Sequence, residues 1–132
     1  GCGIEIPRLG RRQSNSRTPD LVVCSQAQFE NMLGLTKAMF LQGNPPALAI
    51  EVSSPSNTKT DTEDKRVEYA LAGVAEYWII NPVDGYVITL SLTDLAYEEI
   101  GCFRGSEAIQ SKLLPNFCPT AGELLRGKRS GS

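Results

Sequence analysis

At 132 residues, with 41% apolar and 21% charged side chains, the chain has the size and composition of one soluble globular domain that can close a two- or three-layer core without staples. A net charge of −2 excludes a global positive field as the means of holding nucleic acid, and no apolar run approaches the ~18 residues of a membrane span. With no histidine, Ser-His-Asp and Cys-His catalysis and any histidine-containing zinc site are excluded, so carboxylates, Lys, Tyr, Ser or Cys must carry any chemistry.

In chain order, CGIEI (residues 2–6) has the composition of a short strand that Pro7 ends. Arg8, Arg11, Arg12 and Arg17 then cluster in a loop, RLGRRQSNSR, within a basic N-terminal segment, residues 1–18. Such a loop reads first as a solvated linker, and more sharply as a rim that contacts phosphate, with Arg17 close to the next element. Asp20 opens a compact β-type run, DLVVC, ending at Cys24. Ser25 is placed to cap a short helix, QAQFENML, which Gly34 stops. LTKAMFLQGN is ambiguous between helix and strand, and Gly43-Asn44-Pro45-Pro46 breaks the chain before the next strand.

The stretch from Ala47 to Pro82 reads as strand, loop, helix, strand. The run from Ala47 to Ser53 barely alternates, as expected of a strand covered on both faces, yet it contains Glu51. A buried carboxylate is costly unless it is paired or metal-bound, so Glu51 marks a departure from local consistency of the kind found at functional sites. Thr60-x-x-Glu63 fits a capping box, which predicts a helix from near residue 61 to a stop at Gly73. Val67, Ala70, Leu71 and Val74 form the stripe expected to pack on the sheet, while Asp61, Lys65 and Tyr69 step by four along a second, polar stripe. From spacing alone, that polar stripe is better explained by an ion pair on a solvated face.

Tyr77 to Ile80 is the next buried strand. Asp84-Gly85 then turns the chain into YVITLSL, whose alternation suggests a half-covered edge. A turn at Thr93-Asp94 leads to a meander strand, LAYEEIGCF, and Leu113, Leu114 and Phe117 are expected to cover one end of the core. Thr120-x-x-Glu123 caps a last short helix, TAGELLR, before a flexible tail at residues 127–132. The four cysteines show no CxxC spacing and follow no secretory signal, which suits free thiols in a reducing cytoplasm. The chain starts at Gly1 without a Met, so part of the natural protein is expected to lie outside it.

In a βαβ unit the helix starts beside the carboxyl ends of the strands, where ligands of open α/β sheets bind. Asp20 and Glu51 on neighbouring strands, with the backbone carbonyl of Val52, would offer oxygen ligands suited to Mg²⁺ or Mn²⁺. Lys65 on the adjoining helix would neutralise charge on a phosphate. That set suits phosphodiester hydrolysis.

RTPDLVV (17–23), ALAIEVSSPS (47–56), the helix carrying Asp61, Lys65 and Tyr69, and GVAEYWIINP (73–82) together resemble the Uma-two family of restriction-endonuclease-like proteins, a branch of the PD-(D/E)XK nuclease superfamily. The resemblance runs from about Arg17 to Phe117. It implies an α/β restriction-endonuclease-like core, a mixed β-sheet flanked by α-helices with a C-terminal β-meander, in a single nuclease-like domain. It also implies a Mg²⁺- or Mn²⁺-dependent endonuclease acting on DNA, with Asp20 as the PD acid and Glu51 as the second-motif acid. The lysine expected two residues after Glu51 is Ser53 here, and the resemblance gives its place to Lys65. Asp61, Tyr69 and Arg17 are supporting candidates, with Tyr69 set to orient Lys65 or a phosphate, or only to pack. The family's N-terminal helical region is expected to lie outside this stretch of sequence. The competing expectation is an inactive module that keeps the fold to bind nucleic acid or a protein partner. A homodimer formed through the apolar hairpin around Tyr86 and Leu90 is compatible with either.

Overall fold

The computed structural model of the chain describes residues 3–6, 15–17, 19–32, 39–40, 43–53 and 59–126. A small sheet forms first: β1 (Gly3–Ile6) pairs antiparallel with β2 (Asn15–Arg17) and parallel with β4 (Met39–Phe40). The larger sheet has the order β3-β5-β6-β7-β8, made of β3 (Leu21–Val23), β5 (Leu48–Val52), β6 (Glu76–Asn81), β7 (Tyr86–Thr93) and β8 (Ala96–Phe103). Helix α1 (Gln26–Met32) follows β3, α2 (Lys59–Ala72) joins β5 to β6, and α3 (Ala121–Arg126) comes last. Because β5 and β6 are parallel and their other neighbours antiparallel, the sheet is mixed, and β6, β7 and β8 make the expected meander.

The two parallel strands, β5 and β6, lack alternation because each face of the sheet has its own core. On one face Ala49, Tyr77, Ile79 and Leu90 pack with Tyr69 and Ala72 of α2 and with Ile4, Ile6 and Phe40 of the small sheet. On the other, Leu48, Ile50, Trp78, Ile80 and Val87 pack under Phe103, Ile109 and Ala121, with Leu114, Leu124 and Leu125 half-buried around them. The helix termini follow local chemistry. Ser25 and Gln28 exchange reciprocal hydrogen bonds at the start of α1, as Thr120 and Glu123 do at α3. At the end of α2, Gly73 takes φ +86°. Its N–H reaches the Ala70 carbonyl and the Val74 N–H reaches that of Tyr69, the paired closure that requires a left-handed residue.

Several expectations need correction. The arginine loop contains a strand, β2, because β1 offers it an antiparallel edge; residues 7–14 lie outside the described residues. Helix α2 begins at Lys59 rather than near 61, which puts Thr60 inside it instead of at a cap; the side chains of Thr60 and Asp61 lie outside the described residues, as do Gly34, Ser56 and the tail at 127–132. The packing stripe is rotated: Val67 is 59% exposed, whereas Tyr69, placed on the polar stripe, is fully buried. Strand β7 is flanked on both sides and β8 is the edge, so Leu90 lies in the core and is not offered to a second copy. Tyr86 is half-buried, with the Arg104 guanidinium 5.2 Å from its ring centre. Phe117 covers the core only partly, stacking on Trp78 at 6.2 Å while remaining 47% exposed.

Glu76, at the start of β6, is buried on the face away from α2. Its carboxylate accepts hydrogen bonds from Trp78 Nε1 (2.6 Å), the Ser111 hydroxyl, and the N–H groups of Lys112 and Leu113 (both 3.0 Å). The three donors from Ser111, Lys112 and Leu113 tie the chain after β8 to the sheet. Among the described residues no helix is long and apolar enough to cross a membrane.

Candidate active site

Glu51 occupies the fourth position of β5, with the same parity as Ala49, so its side chain points to the α2 face of the sheet near the carboxyl end of the strand. It is 7% exposed. The antiparallel register of β3 with β5 pairs Leu21 with Ile50, and one further step sets Asp20 beside Glu51. Pro19 precedes that step and Asp20 itself is exposed at the mouth. Asp20 Oδ2 accepts the Val52 N–H at 2.6 Å, while the following N–H, that of Ser53, goes the opposite way to the Ile80 carbonyl at 2.8 Å. Because N–H and C=O of one strand residue project to the same edge, the Val52 carbonyl is on the Asp20 edge as well.

Helix α2 supplies the remaining groups. Thr62, Lys65 and Tyr69 recur at three- and four-residue spacing, so the face that meets the sheet carries polar groups toward its start and apolar ones toward its end. The Tyr69 hydroxyl donates to Glu51 Oε2 at 2.8 Å, and Lys65 Nζ stands 3.4 Å from the same oxygen. The Tyr69 ring meets that of Tyr77 edge-on, with centres 5.1 Å apart at 72°. A small open cleft lies over these groups, bounded by Ser53 and Thr62 and by the apolar walls of Tyr77 and Ile79.

Burial pushes the Glu51 carboxyl above its ordinary range. The Tyr69 hydroxyl and the Lys65 ammonium oppose that rise, and the neighbouring Asp20 carboxylate adds to it. Burial and the nearby Asp20 carboxylate both work against the ionised form of Glu51, and a small divalent cation held between these oxygens and the Val52 carbonyl would relieve that cost. Among the described residues no group of three or more acidic, cysteine or histidine side chains stands together. Asp20, Glu51 and the Val52 carbonyl are oxygen donors, the kind of set through which Mg²⁺ or Mn²⁺ could be held by one or two carboxylates while keeping several waters.

The structure thus brings Asp20, Glu51, Lys65, Tyr69 and the Val52 backbone to one crevice. Arg17 and Asp61 are described through their backbones alone, Arg17 paired with Ile4 on the small sheet and Asp61 in the first turn of α2. Thr62 was missed by the sequence reading although its position three residues before Lys65 was a usable signal. Tyr77 and Ile79 carry no such signal, since their place in the cleft follows from strand register.

The family profile for Uma2, described as "Putative restriction endonuclease", matches residues 1–122. Among solved structures, the crystal structure of "a putative nuclease belonging to DUF820" from Anabaena variabilis ATCC 29413 matches with a TM-score of 0.65 at 17% identity. The match covers 95% of this chain and 64% of the other, so the chain spans less than two thirds of that protein. At that identity the likeness shows a shared fold, the mixed sheet with flanking helices. No curated protein matches the chain. With the profile covering almost its whole length, the chain belongs to the Uma2 family.

Proposed function

We propose that this chain is a metal-dependent endonuclease that hydrolyses phosphodiester bonds in DNA. The observation that carries the reading is that Glu51 of β5 and Lys65 of α2 line one cleft while Asp20, just before β3, is bonded to the Val52 N–H at its edge. Asp20 and Glu51, with the Val52 carbonyl, would hold Mg²⁺ or Mn²⁺. A bound divalent ion supplies charge stabilisation and a more acidic water in such sites. Lys65, partly sheltered from solvent and near the helix start, is placed to pair with a phosphate oxygen as negative charge grows on it. Ser53 and Thr62 offer hydroxyls to the same phosphate, and Tyr77 and Ile79 limit water on the side of the cleft away from the mouth. Family membership supports a nucleic acid as the partner, and the reducing cytoplasm expected from the cysteines is the compartment proposed.

Calorimetric titration with Mn²⁺ and cleavage of supercoiled plasmid test this together. Asp20→Asn and Glu51→Gln are each expected to abolish cation binding and cleavage, and Lys65→Met to abolish cleavage while cation binding survives. Unchanged Mn²⁺ affinity in both carboxylate variants sinks the site. The second reading, a nuclease-fold module that binds without cutting, is favoured by Ser53 at the usual lysine position and by the net charge of −2. Metal-independent retention of DNA without cleavage of supercoiled, linear or branched substrates would establish it. Light scattering tests the homodimer, which the burial of Leu90 requires to form through another surface.

A further inference from the structure

The two oxygens of Glu51 have different surroundings. Oε2 accepts the Tyr69 hydroxyl at 2.8 Å and lies 3.4 Å from Lys65 Nζ, whereas among the described residues no hydrogen bond reaches Oε1. The two partners of Oε2 also differ. The Tyr69 hydroxyl is carried on a rigid ring that is fully buried and braced edge-on by Tyr77, itself 1% exposed, so its position is set by packing between helix and strand. Lys65 reaches the oxygen on a flexible four-carbon stem from the margin of the cleft.

We infer that Tyr69 is a positioning residue: its hydroxyl holds Glu51 Oε2 and so leaves Oε1 as the single oxygen offered to a divalent cation. The inference rests on Glu51 being a cation ligand. Its consequence is twofold. Tyr69 keeps the carboxylate oriented when Lys65 leaves Oε2 for a phosphate, and it discourages the two-oxygen bite that larger ions accept. Mg²⁺ requires near-octahedral geometry at about 2.0–2.1 Å, whereas Ca²⁺ tolerates bidentate carboxylates at about 2.3–2.6 Å. A carboxylate restricted to one oxygen therefore favours the smaller ion.

Tyr69→Phe keeps the ring and removes the hydroxyl. Calorimetric titration of the full chain with Mn²⁺ and, separately, with Ca²⁺ is expected to show Mn²⁺ affinity falling by roughly 10-fold or more, the scale on which groups behind a metal ligand act. Ca²⁺ affinity should fall less, narrowing the preference for the smaller ion. A purely structural role would lower the unfolding temperature and leave that preference untouched. A folded Tyr69→Phe protein with unchanged Mn²⁺ affinity and an unchanged Mn²⁺-to-Ca²⁺ ratio overturns the inference. Lys65→Met tests it independently should that variant fail to fold. With Tyr69 in place, Mn²⁺ affinity is expected to be no weaker than in the unaltered chain, because a nearby cation has been removed. A loss of roughly 10-fold there would assign the orienting role to Lys65 and overturn the inference. Glu51→Gln separates the two levels. If it loses Mn²⁺ while Tyr69→Phe does not, only the positioning role fails; if it binds Mn²⁺ normally, the site fails and the positioning role with it.

Discussion

Two buried glutamates stand on adjacent strands of one sheet. Glu51 lies near the carboxyl end of β5 on the α2 face, and Glu76 at the start of β6 on the opposite face. Both are removed from water, but Glu76 has four donors shared between its two oxygens, while the hydrogen bond and ion pair at Glu51 both fall on Oε2. A saturated carboxylate in the interior acts as a staple, since every lone pair committed to the protein is unavailable to a ligand. A half-occupied one beside a second acid and a cleft retains capacity for a cation. Burial alone does not mark a functional acid; the number and placement of its donors do.

The contrast can be broken most forcefully at Glu76. Glu76→Ala strands the Trp78 indole N–H and two backbone N–H groups, which at about 1–3 kcal/mol per unsatisfied donor predicts a loss of at least roughly 3 kcal/mol in urea unfolding. A loss below about 1 kcal/mol would mean that water reaches those donors and that Glu76 is no staple. Glu51→Gln should behave differently, changing stability by about 1 kcal/mol or less. Its sign depends on pH. Since burial raises the folded carboxyl above the ordinary value of 4.5, the native state holds this proton more tightly than the unfolded chain does. Ionised Glu51 therefore costs stability at neutral pH. The cost is relieved as pH falls through the raised value and is absent below the unfolded value near 4.5. The Gln variant should gain most on the unaltered chain near neutrality and lose its advantage in acid; a gap that widens on acidification would contradict a desolvated Glu51. The smallest effect is expected at Val67, where Val67→Lys should change stability by no more than about 0.5 kcal/mol. A larger loss would show that the sheet-facing side of α2 includes Val67.

Much of the site was legible from residue types and local order. Glu51 drew attention because it interrupts an apolar strand, and Asp20 because it opens the preceding one. Lys65 followed because a helix between parallel strands starts at their carboxyl ends. Tyr69 does share a stripe with Lys65 at the crevice, but it is that stripe, and not the one through Val67, that meets the sheet. The apolar stripe through Val67 and Leu71 and the mixed stripe through Lys65 and Tyr69 both have helical spacing, and a tyrosine serves equally as a polar or an apolar residue. Choosing between them depends on the small sheet, whose Ile4, Ile6 and Phe40 close the core beside Tyr69. Glu76 gave no sign of its role, as its donors Ser111, Lys112 and Leu113 stand 35 to 37 residues further along the chain.

Residue order alone sets the strand-helix-strand arrangement around Glu51, the caps at Ser25 and Thr120, the stop at Gly73 and the acids at the strand ends. Each is set by interactions spanning only a few residues, which composition and spacing record directly. Which face of α2 is inside, the inner place of β7 and which of the two buried glutamates is saturated are settled by long-range packing. Those outcomes depend on partners brought together by register and packing across dozens of residues, where no local pattern distinguishes a carboxylate that is fully bonded from one with an oxygen left for a cation.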